Sequence, residues 1–308
     1  MELFERFQMH GFQTMYVLPM PQYEEWTRLR TKGVFHHDTG YIVADAIEAY
    51  PFANALLVGV YPYQPYRERH VVASYYPASN QAYHAIRAIG QELKEEGMFA
   101  EIANVPLREC LLRYGIGSRM DSQLLYIKPY GTYFVLQALA VRLENPKYSE
   151  KGPFETVCDH CGACRTVCTG AILGEGHFSV SRCIRAHYED EELSLETMQE
   201  IRSLLGCMAC QNACPKQTVQ PIPIPDEIRE TFDAVNILTV PPRRIKELVG
   251  FNYRVRHIKR QAIVLLANQG RVEALPILLK LAEENDPFYR KALDYAISLL
   301  QNQKTMVK

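Results

Sequence analysis

Eight of the nine cysteines in this 308-residue chain lie between Cys158 and Cys214, in the order Cys158, Cys161, Cys164, Cys168, then Cys183, then Cys207, Cys210 and Cys214. The first four read C-x-x-C-x-x-C-x-x-x-C, a run in which three thiolates hold one cubane iron–sulfur cluster and the fourth reaches a second. The last four repeat that run with its first cysteine moved upstream to Cys183. On this spacing Cys158, Cys161, Cys164 and Cys214 hold one 4Fe-4S cluster, and Cys168, Cys183, Cys207 and Cys210 hold the other. Two intervening residues let the backbone curl around a cluster edge and aim successive sulfurs at different irons, while Cys168 lies past the curl and faces away. Small residues at Gly162, Ala163, Ala209 and Ala213 let backbone amides approach the cluster sulfides and tune the potential.

Other uses of cysteine fit less well. A chain of this length with 47% hydrophobic residues can build a core without disulfide staples. Its opening carries Glu2 and Glu5 where a secretory leader would be basic. Structural zinc takes two separated C-x-x-C pairs rather than four cysteines so tightly grouped. Cys110 stands outside the pattern and reads as a buried apolar residue. The net charge of −1 offers no global attraction for nucleic acid, and no apolar stretch is long enough to span a bilayer. The expectation is a cytoplasmic, monomeric protein with no membrane contact, since thiolate-bound clusters suit a reducing compartment.

The elements around the cysteines suggest an α/β (α+β) protein of three parts. Residues 1–150 alternate helical and extended segments. Leu56 to Tyr61 is a continuous apolar run ended by Pro62, as a buried strand would be. Tyr83, Ile86, Ile89 and Leu93 recur at helical spacing through Gln81 to Glu96, and Gly97 ends the segment. Leu124 to Ile127 reads as a strand, Pro129-Tyr130-Gly131 as its turn, and Phe134 to Leu143 as a following helix. Residues 151–226 form the two-cluster, ferredoxin-like part. They end in Pro221, Pro223 and Pro225 alternating with Ile222 and Ile224, an extended connector that cannot be helical.

Residues 227–308 are all helical in pattern, with three amphipathic stripes punctuated by Gly270 and Asp286-Pro287. They are similar to a HEAT-type helix pair. Arg243, Arg244, Lys246, Arg254, Arg256, His257, Lys259 and Arg260 form a basic cluster beside these helices. Such a cluster could contact a phosphate backbone, although solvated helix faces explain most runs of this kind.

With cluster runs, connector and helical tail together, the whole chain resembles the epoxyqueuosine reductase family. Those proteins combine a cobalamin-binding domain related to reductive dehalogenases, a two-cluster ferredoxin module and HEAT-like repeats. Cys158-Asp159-His160-Cys161-Gly162-Ala163-Cys164 with Cys168-Thr169-Gly170-Ala171-Ile172 looks like the family's first cluster run. Ser181-Arg182-Cys183-Ile184 looks like its isolated fifth cysteine, and Gly206-Cys207-Met208-Ala209-Cys210-Gln211-Asn212-Ala213-Cys214-Pro215 like its second run. Gly131-Thr132-Tyr133-Phe134 resembles a Gly-Ser-Trp-Phe-type segment beside the corrinoid, and Tyr83-His84 the end of an Asp-Tyr-His segment.

The chain also departs from that pattern. Ala82 stands where the family has the Asp of Asp-Tyr-His. Ala103 stands where it has a second Asp, the proposed proton donor, and Met120-Asp121-Ser122 where it has Gly-Lys-Asn. An alanine cannot deliver a proton. The resemblance therefore implies a reductive enzyme in which either another residue is the acid, with Tyr76, Tyr83, His84 and Asp121 as candidates, or the substrate is a different one. It implies two 4Fe-4S clusters and a cobalamin, with Ser122, Gly131, Thr132 and Tyr133 as cobalamin-binding residues and Tyr61, Tyr63, Tyr66, Tyr75 and Tyr76 as a possible aromatic lining. No D-x-H-x-x-G motif occurs, so the cobalt would have no histidine ligand. His160, between cluster cysteines, would tune or shield a cluster whose cysteine count is already complete.

The implied partners are a low-potential electron donor such as flavodoxin or ferredoxin and a tRNA carrying the queuosine precursor. Two other classes compete. One is a two-cluster electron-transfer protein that reduces a partner's corrinoid or other cofactor. The other is a helical scaffold with structural clusters, for which one cluster would suffice.

Overall fold

The computed structural model describes residues 2–21, 46–68, 71–174, 177–250 and 255–306. The chain forms two compact units, each assembled from separate stretches. The first comprises Met1–Tyr63, Ala78–Cys161 and Lys216–Val219, and the second Gln64–Pro77, Gly162–Pro215 and Gln220–Lys308.

The first unit is built on a four-stranded antiparallel sheet. Its strands are β1 (Thr14–Pro19), β2 (Ala55–Pro62), β3 (Ala100–Ile102) and, after a small ladder of β4 (Ser118–Arg119) with β5 (Leu125–Tyr126), β6 (Phe134–Val141). The order is β1-β2-β6-β3. In β2, Leu56, Val58 and Val60 enter one hydrophobic cluster with Leu111, Leu125 and Ile127. Ala55 and Leu57 enter another with Phe7, Phe12, Ile86, Ile89 and Leu93. Burial on both faces is the reason this strand reads as an unbroken apolar run. The second cluster is closed by helix α1 (Leu3–Met9) and by the helix Tyr75–Glu95, which begins six residues before the expected Gln81.

Phe134 to Leu143, expected as a helix, is strand β6. It pairs with β2 from Phe134 opposite Pro62 to Val141 opposite Ala55, and with β3 on its other side. Ala138 and Ala140 pack into one cluster while Leu139 and Val141 pack into the other. Leu, Ala and Gln favour a helix in isolation, but two neighbouring strands satisfy this backbone and both side-chain faces at once, so tertiary pairing overrides local preference.

The second unit carries the helical tail, whose long members are Val255–Asn268, Leu275–Glu283 and Pro287–Met306. Ile258, Ala262, Leu266, Leu278, Ala296 and Leu300 are fully buried and share a core with Ile184, Met198, Leu204 and Leu205 from the cysteine-bearing segment. Polar ties reinforce it. Asn268 donates to the carbonyls of Met198 (2.8 Å) and Ile201 (2.9 Å), and Gln261 to that of Tyr188 (2.6 Å). The proline-rich connector is extended, as expected. Ile222 N–H donates to Pro65 O, and Arg67 N–H to Ile222 O, each at 2.9 Å.

Candidate iron–sulfur centre

All nine cysteines are free thiols. Cys158 and Cys161 belong to the first unit, and the six from Cys164 to Cys214 to the second. After Cys161 the chain turns through Gly162 at φ +76° into the short helix Ala163–Val167, which carries Cys164. An added Cβ there meets nothing within 4 Å, so it is the left-handed backbone that calls for glycine. Cys168 leaves the helix in extended backbone geometry. Cys183 caps the helix Ile184–His187, and Cys210 lies in the helix Ala209–Asn212, which packs on Ala163–Val167.

Cys168, Cys183, Cys207 and Cys210 sense one another. Burial pushes the Cys210 thiol well above its ordinary range, and like charge at Cys207, Cys168, Cys183 and Cys164 pushes it further. Burial also raises Cys207, opposed by the Ala209 amide and reinforced by Cys183 and Cys168. At Cys183 burial again leads, the amides of Arg185 and Ala186 pull the other way, and Cys168 adds to the rise. Half-buried sulfurs that raise one another in this way repel as thiolates unless a cation lies among them. The donor set therefore fits an iron–sulfur core, and the amides directed at Cys183 and Cys207 are the kind of contact that tunes one.

The second cysteine loop is gripped from behind. Gly206 has φ +79°, and a side chain there would overlap the Tyr75 hydroxyl, the Tyr76 ring and Ala73. Ser203 donates to the Gly206 carbonyl and shares a hydrogen bond with Tyr188 Oη at 3.0 Å; Ser74 donates to the sulfur of Met208. Tyr75 and Tyr76 are ring neighbours at 4.7 Å, and the Arg185 guanidinium lies 5.8 Å above Tyr76. Burial, then the Tyr76 phenol, raise the Tyr75 phenol well above its usual value. Tyr76, an acid candidate from sequence, is thus placed in the core that includes Cys207.

In the first unit, Asp121 is buried at 6% exposure, and its Oδ1 lies 2.8 Å from His160 Nδ1. A nitrogen of His160, the Cys158 sulfur and an Asp121 oxygen all lie within 4.8 Å of one another. His84 is exposed on its helix, edge-on to Tyr83. Ser122, Gly131, Thr132 and Tyr133 are all buried. Thr132 N–H donates to Gln217 Oε1 at 3.0 Å, Gln217 Nε2 donates to Thr132 Oγ1 at 2.6 Å, and a Cβ on Gly131 would overlap the same carboxamide. Sequence reading missed Gln217 and the Asp121–His160 pair because each joins positions far apart in the chain. Tyr63 packs edge-on to Tyr133, but Tyr66, Tyr75 and Tyr76 belong to the second unit, so the five tyrosines do not share one unit.

No family model matches the chain. An epoxyqueuosine reductase of Francisella cf. novicida is 24% identical over 218 residues, covering 65% of this chain and 60% of that protein. One from Staphylococcus aureus is 28% identical over 168 residues, covering 49% and 44%. The chain is a distant homologue of the epoxyqueuosine reductases. An uncharacterized Geobacillus stearothermophilus protein in the gldA 3' region is 28% identical over 190 residues, 58% of this chain and 87% of that one.

The fold agrees along nearly the whole length. An epoxyqueuosine reductase solved with an epoxyqueuosine-modified tRNA-Tyr stem loop superposes with TM-score 0.78 at 19% identity, over 96% of this chain and 88% of that one. The Bacillus subtilis epoxyqueuosine reductase, described with its catalytic aspartate loop swung out of the active site, gives 0.77 at 20% identity over the same shares.

Against that fold the two alanine departures have a structural role of their own. Ala82 is fully buried on the Tyr75–Glu95 helix, and Ala103 is 5% exposed, its N–H donating to Ala138 O at 2.9 Å as a continuation of β3. Most of the basic cluster is buried or paired with acidic neighbours. Arg260 and His257 are buried, and Arg260 donates to the carbonyls of Asp190 and Glu191. Arg243 pairs with Glu247, Arg244 with Glu227, and Arg256 with Glu191 at 2.7 Å. Lys259 donates to Leu238 O at 2.9 Å, and Arg254 lies outside the described residues. Among the described residues no helix is long and apolar enough to cross a membrane.

Proposed function

We propose that this protein is an iron–sulfur oxidoreductase of the epoxyqueuosine reductase type, holding two 4Fe-4S clusters that feed electrons to a bound cobalamin for reduction of a modified tRNA base or a related smaller substrate. The observation that carries it is the gathering of half-buried Cys183, Cys207 and Cys210 in the second unit, near enough to one another and to Cys168 that burial and neighbouring sulfurs together raise their thiols. Cys158, Cys161, Cys164 and Cys214 would hold the other. When bound, such clusters supply electrons singly at low potential, and a corrinoid supplies the bond-breaking.

The chain's own residues set the conditions for that chemistry. Tyr75, Tyr76 and Ser203 hold the Gly206–Cys207 turn, and the amides of Arg185, Ala186 and Ala209 counter the charge of the sulfurs they face. The corrinoid enters from the family likeness. Ser122, Gly131, Thr132 and Tyr133 would lie against it through backbone and packing, because the Thr132 side chain is already committed to Gln217. Of the candidate acids, Tyr76 packs with the cysteine loop and Asp121 is engaged by His160. His84 has its ring open to solvent, and Tyr76, His84 and Asp121 together are the proposed candidates for the proton donor. Recognition of tRNA would use a surface other than the internally paired basic cluster.

A second reading has its own observation. Buried alanines at 82 and 103 suit a protein that passes electrons to a partner and reduces no substrate itself. Anaerobic purification with iron, sulfide and corrinoid determination separates the two. About eight irons with stoichiometric corrinoid supports the enzyme, and about eight without corrinoid supports the electron carrier. Zinc in place of iron overturns both.

A further inference from the structure

Two C-x-x-C loops, Cys158 to Cys161 and Cys207 to Cys210, differ in what lies between their cysteines. The second loop places Met208 and Ala209 there, and the first places Asp159 and His160. His160 adopts φ +55°, a left-handed conformation that a residue with a Cβ rarely takes. That backbone turns its ring to Asp121, 39 positions upstream, whose buried carboxylate meets Nδ1 at 2.8 Å. A carboxylate accepting from Nδ1–H fixes the tautomer and leaves Nε2 as the nitrogen with a lone pair. This is the way proteins orient a histidine that faces a metal. The Cys158 sulfur lies within 4.8 Å of both partners' polar atoms. Asp121 also stands in the Met120-Asp121-Ser122 segment, one of the places where this chain departs from the family it resembles.

We propose that Asp121 is a positioning residue that acts through His160 on the Cys158 side of the first cluster, setting that cluster's reduction potential apart from that of the second. The proposal rests on the two-cluster reading above. A fixed imidazole beside a ligating sulfur changes how readily the cluster accepts an electron, and a buried carboxylate behind it opposes added negative charge. The second loop has only Met208 and Ala209 between its cysteines, so the effect belongs to one cluster.

The test is a double-mutant cycle on the anaerobically purified holoprotein, with Asp121→Asn, His160→Gln and the pair. The readout is a redox titration of both clusters followed by electron paramagnetic resonance. Asp121→Asn is expected to make the first cluster easier to reduce, changing its equilibrium constant roughly three- to tenfold, where tenfold is about 59 mV for a one-electron couple. Adding Asp121→Asn to His160→Gln should shift it no further, while the second cluster stays unmoved. Loss of the first cluster alone in both single variants is the same dependence in its strongest form. Unchanged potentials, additive shifts, equal shifts in both clusters or loss of both clusters would overturn the proposal. A wild-type protein that carries no iron would instead overturn the two-cluster reading.

Discussion

Two loops of the same C-x-x-C spacing meet opposite surroundings in this molecule. Asp159, His160 and Cys161 are exposed, and polar partners hold them. Lys216 pairs with Asp159 at 3.0 Å, keeping that carboxyl below its usual range, and Asp121 pairs with His160. Around Cys207 and Cys210, Leu204, Leu205, Gly206 and Met208 are buried, aromatic rings press on the turn, and the thiols are pushed upward by burial and by one another. Spacing decides which atoms can reach a metal, while surroundings decide how tightly and at what potential they hold it. One spacing therefore meets polar surroundings in one loop and apolar surroundings in the other.

The largest test of this contrast removes a ligand. Cys183→Ala should empty the second cluster and leave the first largely loaded, taking the iron count from about eight to about four. Equal loss from both clusters, or from neither, would show that the ligand sets have been divided wrongly. Iron analysis and the resonance spectrum of the reduced protein read the result.

Glycine replacements come next. Gly206→Ala combines left-handed strain with overlap on Tyr75, Tyr76 and Ala73, and should cost about 2–4 kcal/mol in urea unfolding. Gly162→Ala meets open space and should cost only the backbone strain, about 1 kcal/mol. Comparable losses at the two positions would erase the distinction between a gripped loop and an open one.

The mildest probe is chemical. In chelator-treated protein at pH 8, a thiol reagent should label exposed Cys161 well before Cys210. A thiol whose pKa is raised keeps its proton to higher pH, so Cys210 labelling should accelerate only as the solution becomes strongly alkaline. Peptide mapping by mass spectrometry gives the order, and parallel labelling of the two would contradict the contrast.

Much of this was legible before any coordinates. The buried strand at Leu56 to Tyr61, the helix through Ile86 and Leu93, the extended proline connector and the helical tail all follow from periodicity and from proline's missing donor. Strand β6 was not legible, because Phe134 to Val141 carries good helix formers and becomes a strand only between β2 and β3. The partners of the basic cluster were not legible for a related reason. Sequence shows Arg260 and Arg256 as charges, but not that Arg260 reaches backbone carbonyls near residue 190 or that both guanidiniums stack on Phe288.

The amino-acid sequence by itself determined the eight thiols and their spacing, because the reach of two or three intervening residues is a local property. Tertiary structure alone decided what surrounds each donor. It buried Ala82 and Ala103 in the packing of the first unit, set Tyr75 and Tyr76 against the turn at Gly206, and brought Asp121 to His160. Those are contacts between distant positions, formed when packing excludes water, and no local pattern encodes them.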